Sequence, residues 1–193
     1  MTKKRKTILI INGSHKKNGN TSILVNAFAK GARSGGARIE IVHAAFLRNK
    51  ANGCTSCRKC QEQKAYGCVI DDGASAVIQK MTKAGVIVFA TPLYFYGASA
   101  QLKSVIDRMF SLYHWDNETN AMETVLKGKI LALIGSAYED IGLDALEMPF
   151  RLTADYTGVK FRSLLVPNAG ESGDLKHRAD ILRKAEAFGK SLS

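Results

Sequence analysis

The stretch Thr7-Ile8-Leu9-Ile10-Ile11-Asn12-Gly13-Ser14-His15-Lys16-Lys17-Asn18-Gly19-Asn20-Thr21-Ser22 decides how this chain is read. Its apolar start breaks into a loop of Gly, Ser, Asn and Thr. Helical spacing follows at Ile23, Leu24, Ala27 and Phe28. A buried strand that turns through such a loop into a helix makes an anion site, because free backbone N–H groups and the helix dipole face the loop. Ser14, Thr21 and Ser22 add hydroxyls, Lys16 and Lys17 add charge, and Asn20 stands among them. The plainer alternative is a polar turn with a helix N-cap. A nucleotide-triphosphate loop would read G-x-x-x-x-G-K-[ST]. Here the glycines are one residue further apart and Asn20 replaces the Lys. The dinucleotide pattern G-x-G-x-x-G is absent too, since Ser14 and His15 follow Gly13. The remaining pattern, G-S-x-x-x-x-G-N-T, suits a single phosphate.

Outward from this stretch, apolar runs alternate with amphipathic ones, which argues for a parallel sheet covered by helices. Strands are expected over 7–11, 38–43, 86–90, 130–134 and 161–166, and helices over 21–30, 75–82, 100–113, 143–156 and 175–192. Val, Ile and Leu are frequent in these strands, as expected for strands buried on both faces. Gly31 reads as the stop of the first helix, and Pro149 as a break in the fourth. The expected fold is α/β, a doubly wound five-stranded parallel sheet of order 2-1-3-4-5. In that order a ligand sits where loops after strands one, three and four meet. The stretch 45–73 is long for a connection, which marks it as site-forming. The chain reads as one domain, 1–193, with this stretch as its insertion.

The loop after strand three runs Pro92-Leu93-Tyr94-Phe95-Tyr96-Gly97-Ala98-Ser99-Ala100-Gln101-Leu102-Lys103, and continues to Ile106-Asp107-Arg108. A loop cannot bury three consecutive aromatics on one side, so at least one is expected at a surface or ligand. Together with Gly13–Ser22, this run resembles the flavodoxin-like NAD(P)H-dependent FMN reductases and iron–sulfur flavoproteins, whose loop reads P-x-Y-x-x-x-x-S-A-Q-L-K-x-x-I-D-R. The resemblance covers most of the chain, from Thr7 to about Phe161. It implies FMN, with phosphate at Ser14, Lys16, Asn20, Thr21 and Ser22 and the ring at Pro92, Leu93, Tyr94, Phe95, Tyr96 and Gly97. Gly135 and Ser136, in the loop after strand four, permit close approach to the ring edge or ribityl chain. It also implies NAD(P)H as donor, and a quinone, free flavin or nitro compound as acceptor. Homodimers or homotetramers are implied as well. The flavin carries the chemistry, so no side chain is assigned catalysis. Asp107 and Arg108 are expected to form structural ion pairs.

All four cysteines fall in the insertion, as Cys54-x2-Cys57-x2-Cys60-x7-Cys68. Such close spacing in a chain without a secretion signal points to metal rather than disulfides. Zinc sites usually pair two separated knuckles; three closely spaced cysteines and a fourth suit an iron–sulfur cluster better. Free structural thiols remain the alternative. The iron–sulfur flavoproteins carry a similar compact motif that binds a 4Fe–4S cluster, which implies a further role: electron exchange with a ferredoxin-like partner. Their pattern continues as C-x-x-x-D-D, of which Asp72 matches the first Asp and Gly73 departs from the second. That departure leaves the start of the next helix in question, and Asp72 reads as its N-cap.

The balance of 28 Lys and Arg against 17 Asp and Glu gives +11. The basic residues are scattered, without interleaved aromatics, so nucleic-acid binding is disfavoured. The charge also fits poorly with an acidic flavodoxin shuttle, an expectation that comes from family resemblance. The basic start Met1–Lys6 resembles a signal peptide, but Ile8–Ile11 is too short for its apolar core. No run approaches membrane-spanning length, and a cytoplasmic location is expected. Of the histidines, His15 lies in the first loop, His43 ends strand two, His114 precedes Trp115, and His177 sits among charges. None joins a Ser–His–Asp arrangement.

Overall fold

A computed structural model describes residues 5–116, 118–119 and 121–193. Five parallel strands form the sheet: β1 (Thr7–Asn12), β2 (Arg38–His43), β3 (Val86–Pro92), β6 (Ile130–Ser136) and β7 (Lys160–Val166), in the order β2-β1-β3-β6-β7. This is the expected doubly wound order. Between β3 and β6 lies a small antiparallel ribbon of β4 (Tyr113–Trp115) and β5 (Met122–Thr124).

Successive residues of a strand point to opposite faces, so each apolar run serves two cores. Ile8, Ile10, Val86, Val88, Ala132 and Ile134 face α1 (Asn20–Ser34) and α5 (Ala179–Ser191). Leu9, Ile11, Ile87, Phe89, Leu131 and Leu133 face α2 (Gly73–Lys83), α3 (Ala100–Ile106) and α4 (Leu143–Thr157).

Four elements differ from the sequence reading. Gly31 does not stop α1, which runs on to Ser34 and is capped at Gly35. A Cβ at Gly31 would lie 1.9 Å from the Glu186 carbonyl oxygen, and one at Gly189 2.0 Å from that of Phe28. Both glycines therefore serve the close approach of α1 to α5. Pro149 does not break α4. Its ring removes one helical hydrogen bond, and burial of Leu146 and Phe150 on either side holds the helix together. The third helix leaves α geometry after Ile106, passes through a 3₁₀ segment over Asp107–Leu112 and enters β4. The last helix is a 3₁₀ turn, Asp174–His177, followed by α5 from Ala179. The start of α2 is settled at Gly73. Asp72 accepts from the Ser75 N–H, and Ser75 accepts from the Asp72 N–H, a closed capping box.

Candidate functional site

The strands run further than expected at their carboxyl ends, so Pro92 pairs with Ser136 in register. The loops after β1, β3, β6 and β7 meet there around one cleft. The first loop is held by main-chain geometry and its own side chains. The Gly13 N–H donates to the Ala90 carbonyl at 2.7 Å, and the Ser99 hydroxyl donates to the Gly13 carbonyl at 2.8 Å. A Cβ at Gly13 would lie 2.6 Å from Ser99 Oγ and 2.7 Å from Leu102 Cβ, so the position requires Gly. Asn12 accepts the Ser14 N–H at 2.9 Å, and Ser14 Oγ accepts the Lys16 N–H at 3.2 Å.

Helix α1 then starts at the cleft with Gly19 as N-cap and no side chain capping it. Its first bond is from the Ile23 N–H to the Gly19 carbonyl at 3.0 Å. The amides of Asn20, Thr21 and Ser22 come before it and are the donors a helix start leaves open. With the dipole behind them and Lys16 on the rim, they form a set that fits a phosphate. Thr21 Oγ1 and Ser136 Oγ lie 2.9 Å apart, both buried, and join α1 to the end of β6.

Some expected residues sit differently. The Ser22 hydroxyl is engaged inside the loop, donating to the Lys16 carbonyl and accepting from Asn12, which leaves its amide as the available group. Gly135 points into the core, where a Cβ would lie 3.0 Å from both Leu146 and Leu165. Asn20 lines the cleft, yet its side chain fastens the loop after β7. Its amide nitrogen donates to the carbonyls of Ala169, Gly170 and Glu171. Its oxygen accepts from the N–H groups of Gly173 and Leu175.

The aromatic loop is a two-residue turn. Tyr94 and Gly97 exchange both main-chain hydrogen bonds at 3.0 Å. Phe95 and Tyr96 between them have φ of 45° and 63°, the left-handed conformation that Asn and Gly normally occupy in such turns. Bulky residues there carry strain of the kind that clusters at functional sites. The Phe95 side chain is fully exposed, and Tyr94 and Tyr96 are more than half exposed. Tyr96 leans on Gly142, where a Cβ would lie 2.3 Å from its ring. Pro92, Leu93 and Tyr94 line the cleft, Phe95 and Tyr96 line the hollow beside it, and Gly97 opens on an apolar cavity next to α4.

Sequence reasoning missed the wall formed by the loop 169–172, which meets Tyr138 of the loop after β6. Tyr138 Oη donates to Glu171 Oε1 at 3.3 Å, and the Glu171 charge raises the Tyr138 pKa. The run Asn168-Ala169-Gly170-Glu171-Ser172-Gly173 carries the turn signal that could have marked this loop.

The four cysteines line one small hollow together with Arg108 and Phe110. Cys54 and Cys57 are exposed, Cys60 is buried and Cys68 half-buried. The Lys59 main-chain N–H and the Thr55 hydroxyl lower the Cys57 pKa, whereas burial raises that of Cys60. Among the described residues, no three His, Cys, Asp or Glu are placed to hold one metal ion. A cluster makes a different demand: each thiolate binds a separate iron, so the sulfurs stand apart by the width of the cluster. A shared hollow of four thiols, one of them with a lowered pKa, fits that chemistry. The hollow and the cleft have no lining residue in common. Of the histidines, His114 stacks on Tyr66 at 4.4 Å and His15 lies 5.6 Å from Phe46, both packing roles. No helix among the described residues is long and apolar enough to cross a membrane.

Comparison with known proteins agrees with this architecture. The chain is 34% identical over 101 residues to an iron–sulfur flavoprotein of Methanocaldococcus jannaschii, covering 52% of this chain and 50% of that one. It is 28% identical over 133 residues to an FMN-dependent NADH:quinone oxidoreductase of Idiomarina loihiensis, covering 61% and 55%. The chain thus spans about half the length of these curated relatives. The fold matches an NAD(P)H:quinone oxidoreductase from Methanothermobacter marburgensis with a TM-score of 0.74 at 16% identity, covering 98% of this chain and all of that one. Residues 7–162, which hold both loop motifs and the cysteines, match the model of the NADPH-dependent FMN reductases, and the chain belongs to that family.

Proposed function

We propose that this protein is an FMN-dependent oxidoreductase that uses NAD(P)H to reduce a small acceptor of the quinone, free-flavin or nitro class. One observation carries the reading: a single cleft runs from an uncapped helix N-terminus to Tyr94, the first residue of a strained, exposed aromatic turn. When bound, FMN supplies the redox chemistry. The chain's own groups position and polarise it. The Asn20, Thr21 and Ser22 amides, with Ser14 and Lys16, bind the phosphate. Thr21 and Ser136 line the same cleft and would offer hydroxyls to the bound cofactor. Tyr94, which lines the cleft, would offer a face for the ring, and the Phe95 and Tyr96 amides of the turn would be its main-chain donors. Because the flavin would carry the chemistry, no side chain is needed as a strong acid or base. Heat release of the bound flavin tests the assignment: FMN is expected, and stoichiometric FAD would refute a mononucleotide site.

The shared hollow of the four cysteines supports a second reading, an iron–sulfur flavoprotein that exchanges electrons with a ferredoxin-like protein. Cys54, Cys57, Cys60 and Cys68 then hold a 4Fe–4S cluster, and residues 45–73 are an insertion in one FMN-binding unit, 1–193. Anaerobic reconstitution should give about four irons per chain; no uptake would leave a plain FMN reductase. Free thiols suit a reducing compartment, so the protein is assigned to the cytoplasm. A homodimer or homotetramer is part of the reading. Ile141, Met148, Leu152 and Tyr156 are exposed apolar residues on one segment, a face a second copy can cover. Sedimentation showing only monomer would remove that element.

A further inference from the structure

We propose that Arg108 is the positioning residue of the cysteine lobe: it clamps both ends of the segment that carries the cysteines and aims one N–H at the Cys68 sulfur. This rests on the reading of the four cysteines as cluster ligands. Arg108 is 1% exposed, and all five of its N–H groups have a partner. Two form a bidentate pair with the Asp72 carboxylate, at 2.7 and 2.8 Å. Nε donates to the Gly53 carbonyl at 3.2 Å, and Nη2 donates to that of Ala51 at 2.9 Å. Nη1 also faces Cys68 Sγ across 4.0 Å.

The partners lie on both sides of the cysteine motif. Ala51 and Gly53 precede Cys54, and Asp72 follows Cys68. Asp72 widens the clamp by accepting from the Lys50 and Ser75 amides at 2.8 and 3.1 Å. Arg108 itself lies in the 3₁₀ segment that continues α3. Residues 54–67 thus form a closed loop whose neck is tied at one buried point. Within the hollow, Arg108 places a positive charge and a donor beside the sulfur of one ligand. Hydrogen bonds to cluster sulfurs and nearby charge set the reduction potential. Arg108 therefore fixes where Cys68 stands and raises the potential of a cluster bound there.

The test compares the wild-type chain with Arg108→Lys, which keeps the charge but loses the planar fork, and with Asp72→Asn, which keeps the shape and loses the charge. Iron uptake by the wild type tests the cluster reading separately. With iron bound, Arg108→Lys should have a more negative cluster potential at unchanged FMN affinity. Without iron, both variants should label Cys60 and Cys68 with a thiol reagent several-fold faster than the wild type. Hydrogen exchange on the iron-free wild type needs no substitution: the Lys50, Gly73 and Ser75 amides should exchange as slowly as the central strands. Unchanged potential and labelling, or free exchange at those amides, would overturn the proposal.

Discussion

The loop Gly13–Gly19 and the loop Cys54–Cys68 both bring chemistry-bearing side chains to one place, but they are held in different ways. The first is tied by many neutral hydrogen bonds: the Gly13 main chain to Ala90 and to the Ser99 hydroxyl, and Asn12, Ser14 and Ser22 within the loop itself. The second adds to neutral ties, such as Gly67 N–H to the Ser111 carbonyl and Gln61 to the Tyr113 carbonyl, one buried ionic tie between Arg108 and Asp72, 36 residues earlier. A loop held by many neutral hydrogen bonds tolerates the loss of any one of them, whereas loss of the guanidinium leaves a buried carboxylate without its ion pair.

The largest effect should therefore come from Arg108→Met. It leaves Asp72 buried and unpaired, a loss of about 3–5 kcal/mol. Thermal unfolding should show it, and a shift within error would mean that the neutral hydrogen bonds of the cysteine loop suffice without the ion pair. Acid should produce a milder form of the same loss. Burial by itself raises the Asp72 pKa, but the Arg108 hydrogen bonds and charge and the Lys50 and Ser75 amides outweigh it and hold the pKa below 3.8. A depressed carboxylate pKa stabilises the fold above its unfolded value, and that contribution disappears as pH falls through the lowered value. Protection of the Lys50 and Ser75 amides should persist at pH 5 and fail only below 3.8; failure at pH 5 would place the pKa elsewhere.

On the other side of the comparison, Gly13→Ala forces a Cβ against Ser99 and Leu102 and should destabilise by about 1–3 kcal/mol. Normal stability and flavin affinity would show that the loop has room to move. Thr21→Ala should leave the fold intact, because Ser136 stays at the open cleft. It should weaken FMN by about tenfold or more, the value of one hydrogen bond to a charged group. Flavin titration measures it, and unchanged affinity would remove Thr21 from the phosphate set. The smallest effect should be Phe95→Gly. It relieves left-handed strain and removes a side chain that touches solvent, so Tm should rise by about 2–4 °C. Reduction by NAD(P)H should slow; a lower Tm would mean that the turn is unstrained.

Legibility followed the same divide. The strand–loop–helix start at Gly13–Ser22 and the aromatic run after β3 were readable because their partners are near in sequence or set by sheet order. Asp72 as N-cap was readable for the same reason. Its pairing with Arg108 was not, because nothing local couples residues 72 and 108. Gly31 misled because a stop signal and a helix-contact glycine look alike until α5 is in place. The β4–β5 ribbon has three-residue strands, too short for alternation to register. The 169–172 wall escaped because the switch-point rule names other loops, and Asn20 recruits this one through tertiary hydrogen bonds.

The most direct test of the central claim is anaerobic titration of the FMN-loaded protein with NADPH and with NADH, followed through the flavin absorption bands. The proposed oxidoreductase predicts that at least one of them bleaches the flavin stoichiometrically, and that a quinone restores the spectrum. A flavin that binds but is reduced by neither nucleotide, and only by a chemical reductant, would contradict it.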